Sequence, residues 1–137
     1  MKLLICFLCL IGSALALPSA VVLSSAEIDS RSALWLHANP TGWKMNMTSR
    51  PDCGSGNSMR PMLQPNDRMF FEPFIGQKLK GCVVLVKVSY CKLLVSHLAY
   101  DENKTHIFMT GINNRYSDGW VNKSQVIGVL VGILRPE

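Results

Sequence analysis

At 137 residues the chain has room for one domain, and with 48% hydrophobic and 17% charged residues it is a packed globular chain rather than a disordered one. The formal net charge of +5 does not point to nucleic acid. Its Lys and Arg residues are scattered without a cluster or an aromatic-basic motif, the pattern of an ordinary solvated surface.

The first residues, Met1-Lys2, precede an uncharged apolar run over 3–17 and then Pro18. One positive charge, a leucine-rich centre and the small-residue ending Ala14-Leu15-Ala16 have the layout of a secretory signal peptide, 1–16. If Pro18 and Ser19 are tolerated the apolar run reaches residue 23, the length of a signal-anchor (1–23), which would tie the chain to a membrane. Cleavage is the favoured expectation, because Pro18 interrupts a spanning helix. Both alternatives predict an exported chain.

Cys6 and Cys9 fall in that segment, leaving Cys53, Cys82 and Cys91. At most one bridge forms among these. No C-x-x-C and no ligand-spaced Cys/His pair occurs, so neither a metal nor another cofactor is expected. Asn46, Asn103 and Asn122 each begin an N-x-S/T triplet.

Residues 17–54 read as an N-terminal extension packing on the main domain. Ser25-Ala26-Glu27-Ile28 predicts the start of a short helix running toward Leu36, broken by Asn39-Pro40-Thr41-Gly42. Trp35, Trp43, Met45 and Met47 make an apolar, sulfur-rich patch, either packing on the domain or forming an adaptable substrate- or membrane-facing edge.

From Ser55 on, the pattern is strand-like. Arg68 to Glu72 is short and aromatic. The β-branched run over 82–88 follows a turn at Gly81, and 93–100 with 106–110 read as a hairpin about Asp101-Glu102-Asn103-Lys104. Residues 126–134 form another apolar strand, with Gly128 and Gly132 as points of bulging or close approach. The expected fold is mostly β, with short strands and many turns.

Three polar residues stand against this scaffold. Ser58 follows Gly56-Asn57, His97 interrupts the apolar run Val95-Ser96-His97-Leu98-Ala99, and Asp118 closes a polar loop. A serine nucleophile needs a base for its proton, and the base needs an orienting group. Imidazole titrates near neutrality and can both take and return that proton, and a carboxylate on its far nitrogen fixes the tautomer. Taken singly, each residue also has an ordinary reading: a turn serine, a satisfied strand histidine, a loop carboxylate.

The segment Ser55-Gly56-Asn57-Ser58-Met59-Arg60-Pro61-Met62-Leu63 resembles the serine box of the type I signal peptidase family, Ser-x-Ser-Met-x-Pro-x-Leu/Phe. Residues 80–87, Lys-Gly-Cys-Val-Val-Leu-Val-Lys, are similar to its Gly-Asp-Ile-Val-Val-Phe-Lys strand. Leu94-Val95-Ser96-His97-Leu98 falls where that family carries its base, lysine in the typical bacterial enzymes and histidine in the endoplasmic-reticulum and archaeal type. Thr110-Gly111-Ile112-Asn113-Asn114 with Asp118 resembles that type's Gly-Asp-Asn-Asn loop and carboxylate, and residues 126–134 its closing Val-Ile-Gly-x-Val-x-Gly strand. The five matches run in unbroken order over 55–134.

This resemblance implies a small signal-peptidase-like β-fold over 55–137 and a serine endopeptidase cleaving extended peptides, signal-peptide-like substrates with small residues before the cut among them. Ser58 would be the nucleophile, His97 the general base and Asp118 its orienter. Asn57, Met59 and Pro61 would serve the oxyanion and substrate-binding surface. Two departures bear on activity. Ile112 replaces an Asp, and Gly56 stands where many relatives carry a second serine hydroxyl, leaving the oxyanion to backbone N–H groups. The alternative is an inactive relative that binds extended peptides. Self-cleaving repressors share such a β-fold, but they use lysine as base and carry a helix-turn-helix, neither of which occurs in this chain.

Overall fold

The structure is a computed structural model that describes residues 20–46, 58–88 and 94–137. The leader-like segment 1–19, Asn57 and the cysteines other than Cys82 lie outside the described residues. The fold is mostly β. Among the described residues, eight strands form one sheet: β1 (Val21–Leu23), β2 (Trp43–Asn46), β3 (Arg68–Pro73), β4 (Val83–Lys87), β5 (Leu94–Glu102), β6 (His106–Thr110), β7 (Gly119–Asn122) and β8 (Val126–Pro136), in the order β2-β3-β8-β4-β5-β6-β7 with β1 on β8.

β8 is the spine. β3 runs antiparallel along one of its edges. β4 takes the start of the other edge, with Val84 opposite Val129, and β1 takes its end in parallel, with Val21 opposite Leu134. Bulges fall where the glycines predict them. Ile127, next to Gly128, is passed over in the β4 ladder, and Val131, next to Gly132, in the β3 ladder. A bulge bends its strand and increases its twist, which lets one long strand serve three partners.

Residues of the expected N-terminal extension enter this sheet as β1 and β2. Between them lies the one helix among the described residues, α1 (Ser25–Ala38). Its N-cap is Ser24, one residue before the expected start. Only Ser24 stands three residues ahead of Glu27, so the Glu27 N–H donates to the Ser24 hydroxyl and the Ser24 N–H donates to the Glu27 carboxylate at 3.0 Å. Ile28, Ser32 and Trp35 form its buried stripe. Trp35 packs on Phe70 with ring centroids 5.0 Å apart, so this member of the Trp/Met patch belongs to the core. A Cβ at Gly42 would lie 2.3 Å from the Trp35 ring, which is why the break after the helix is a glycine.

Both faces of the sheet are covered. Met59, Leu63, Phe71, Leu85, Leu98 and Leu130 belong to one apolar cluster, and Val84, Val86, Ala99, Ile107, Met109 and Val129 to another. Alternation along β5 places Leu98 in the first and carries His97 with the residues of the second.

Candidate active site

The turn that carries Ser58 is anchored from below. Met59, Met62 and Leu63 are buried in the first cluster, and the Leu63 N–H donates to the Met59 carbonyl at 2.9 Å. Asp67, fully buried, closes the turn by accepting from the Gln64 N–H at 2.8 Å. Arg135 near the end of β8 then clamps it. Its Nε and Nη2 donate to the two Asp67 oxygens at 2.8 and 2.9 Å, and Nη2 also donates to the Met62 carbonyl at 3.0 Å. Asp67 holds the Arg135 guanidinium above its ordinary pKa, against the opposing effect of burial. Asn66, between the turn and this carboxylate, has φ of 69°. Asparagine tolerates that left-handed backbone better than most residues.

Strand pairing delivers the second residue. β5 pairs with β4 so that His97 faces Val84, and β6 then runs back with Thr110 opposite Leu98. The chain leaves β6 at Gly111, makes the polar loop, and returns so that the Asp118 N–H donates to the Met109 carbonyl at 2.9 Å before β7 begins. The excursion starts and ends at the same end of β6, and the Asp118 side chain reaches His97 on β5.

The three residues meet. His97 Nε2 lies 3.0 Å from Ser58 Oγ, and His97 Nδ1 lies 2.5 Å from Asp118 Oδ2. An ionised carboxylate only accepts, so Nδ1 carries the proton in that pair and the Nε2 lone pair is left facing the serine hydroxyl. The His97 side chain is 9% exposed, whereas that of Asp118 is 29% exposed. The imidazole is thus held inside the fold and the carboxylate touches solvent. Chemically the arrangement can draw the proton from Ser58 as its oxygen attacks, with the resulting imidazolium stabilised from behind.

The other expected residues are distributed differently. Asn57 lies outside the described residues. Pro61, three residues after Ser58, is exposed and follows a cis Arg60–Pro61 peptide bond. Met59 is completely buried, so its side chain anchors the turn instead of meeting a substrate. A methionine in a turn carries no periodicity from which that burial could be read.

Two contacts at Ser58 have no counterpart among the sequence expectations. The Asn113 N–H donates to the Ser58 carbonyl at 2.7 Å, and Gly111 approaches so closely that a Cβ there would stand 2.9 Å from the same carbonyl oxygen and 2.5 Å from the Asn114 amide. The Gly-x-Asn-Asn loop therefore carries Asp118 and also braces the serine. A glycine followed by two asparagines was the available signal, since glycine marks close backbone approach.

Cys82 is disulfide-bonded. Ile112, where the resembled loop carries a carboxylate, is an exposed apolar side chain. No family model matches the chain, and no curated protein or solved structure matches it either.

Proposed function

We propose that this chain is a serine endopeptidase acting on extended peptides. The observation that carries the reading is the continuous relay from Ser58 Oγ to His97 at 3.0 Å and from His97 to Asp118 at 2.5 Å, formed by residues 39 and 21 positions apart. Order along the chain and side-chain geometry agree on the same three residues.

In this mechanism Ser58 Oγ attacks the substrate carbonyl while His97 Nε2 takes its proton. The tetrahedral oxyanion is left to backbone N–H groups, chiefly that of Ser58. Collapse breaks the peptide bond, His97 returns the proton to the leaving amine, and an acyl ester remains on Ser58. Water, deprotonated by His97, then releases the acid. Gly56 supplies no side-chain donor to the oxyanion. Loss of one such donor costs about 2.7–4 kcal/mol of transition-state stabilisation in a protease where it has been removed, so turnover is expected to be slow. Signal-peptide-like substrates with small residues before the cut remain the substrate class we infer from the serine-box resemblance. An exported or lumenal setting agrees with a disulfide at Cys82.

A second reading is favoured by Ile112, exposed where a carboxylate would stand: a protein that binds extended peptides without cutting them. A fluorophosphonate probe separates the two. The expected result is covalent labelling of Ser58 that disappears in Ser58→Ala and falls sharply in His97→Ala. Wild-type protein that binds peptide but takes no label would establish the binding protein instead.

A further inference from the structure

Beside Asp118 lies a cavity of about 210 Å³ that the triad does not use. Its aliphatic lining is Val88, Val95, Met109 and Val121, and Asp118, Trp120 and Gln125 complete it. Side chains alternate along a strand, so Val95 shares the face of β5 that carries His97. Val86 lies opposite Val95, Val88 continues the same face beyond β4, and Met109 lies opposite Ala99. The cavity wall therefore continues the core face on which the histidine sits.

Asp118 is the one charged residue in that lining. Its Oδ2 is engaged by His97, while Oδ1 has no hydrogen-bond partner among the described residues. The Gln125 amide already donates to the Lys87 carbonyl at 3.2 Å. An apolar space walled by one half-used carboxylate disfavours anions, and a wholly apolar guest would strip water from the carboxylate without replacing its hydrogen bonds. A guest with an apolar body and a cationic donor meets both demands. Size narrows it further: a closed cavity of about 150 Å³ accepts benzene, so a half-open pocket of 210 Å³ has room for an aromatic ring with a short arm.

We propose that this cavity binds a small arylalkyl ammonium group, its ring among Val88, Val95, Met109 and Val121 and its ammonium on Asp118 Oδ1. Two sources share that chemistry, a free amine and the α-ammonium of a peptide that begins with an aromatic residue. Occupancy draws carboxylate charge away from the His97 Nδ1–H and so couples the cavity to the histidine. The inference rests on the cavity and Asp118, not on hydrolysis, and is read by binding alone. It is therefore separable from the assignment of Ser58 as nucleophile.

The test titrates methyl-labelled protein with phenethylammonium, phenylethanol, the amide of Phe-Ala-Ala and the N-acetylated form of that peptide, following the methyl resonances of Val95, Met109 and Val121. Phenethylammonium is expected to shift them and to bind about tenfold more tightly than phenylethanol, the usual advantage of a charge-assisted hydrogen bond. The difference closes in Asp118→Asn. Val121→Phe, which fills the space and leaves the charge, abolishes the shifts for every probe. Binding of the peptide only with its amino group free supports a peptide N-terminus as the source, and binding of phenethylammonium without the peptide supports a free amine. Wild-type protein whose methyls do not move, or which binds alcohol and ammonium equally, would overturn the proposal.

Discussion

Ser58 is held at both ends of its own residue. Its hydroxyl faces His97, and its carbonyl accepts from the Asn113 N–H at 2.7 Å. Gly111 makes the second contact possible. Adding a methyl group there places carbon 2.9 Å from the Ser58 carbonyl oxygen, closer than ordinary van der Waals contact, and the obstacle is backbone that cannot swing aside. The Asn114 amide, also in the way, is the end of a side chain and can move. Gly111→Ala is therefore expected to push the serine or the loop by a fraction of an ångström. Displacements near 1 Å cost on the order of 10²-fold in rate, whereas overpacking costs about 1–3 kcal/mol in stability. Under the proposed function, kcat/KM should fall, by less than the about 10²-fold that a full ångström costs, in a variant that still unfolds cooperatively in urea. Unchanged turnover would mean that the Gly111 contact does not position the nucleophile.

At the scale of elements, what could be read in advance follows from how each strand is specified. The run over 82–88 declares itself by β-branched residues, and Gly128 and Gly132 mark the two bulges of β8 because glycine accommodates the bent strand. β1, β2 and β7 left no such mark. Each has three or four residues, so partners across the ladder decide their conformation and intrinsic propensity does not. Order of motifs sufficed to name Ser58, His97 and Asp118, whose meeting needs only correct strand pairing. The clamp between Arg135 and Asp67 spans 68 positions and was invisible for that reason. Its strength is a further expectation. Asp67 is fully buried, and removing Arg135 leaves its charge without a cation, a loss of about 3 kcal/mol or more. The Lys80–Asp101 pair, at 3.5 Å with both side chains about half exposed, is worth under about 1 kcal/mol. Urea unfolding should thus show a large drop in midpoint for Arg135→Met and almost none for Lys80→Ala, with slopes unchanged. Equal drops would remove the clamp from the account of how the serine turn is held.

Over the whole molecule, one carboxylate joins turns that lie far apart along the chain. Glu102 ends β5. Its Oε1 accepts from the Leu79 and Lys80 N–H groups at 3.0 and 3.1 Å, and its Oε2 pairs with Lys123 at 2.9 Å. It thereby ties the turn that feeds β4 to the 3₁₀ turn (Lys123–Gln125) that feeds β8. Burial pushes its pKa upward, but the Lys123 ammonium and the two N–H donors together outweigh it, and the net displacement is below the ordinary 4.5. A carboxyl group whose pKa is lowered by folding binds its proton more readily in the unfolded chain. The stability it contributes is then complete above the unfolded value and is lost as the pH falls through the lower folded value. Wild-type stability should therefore decline as the solution is taken below 4.5. Glu102→Gln keeps an acceptor oxygen for the backbone donors but cannot titrate or pair with the ammonium. It should be less stable than wild type at neutral pH, with the gap narrowing on the acid side until the two curves approach each other. Urea midpoints measured across that range check the expectation, and parallel curves would show that Glu102 is not a source of the acid sensitivity.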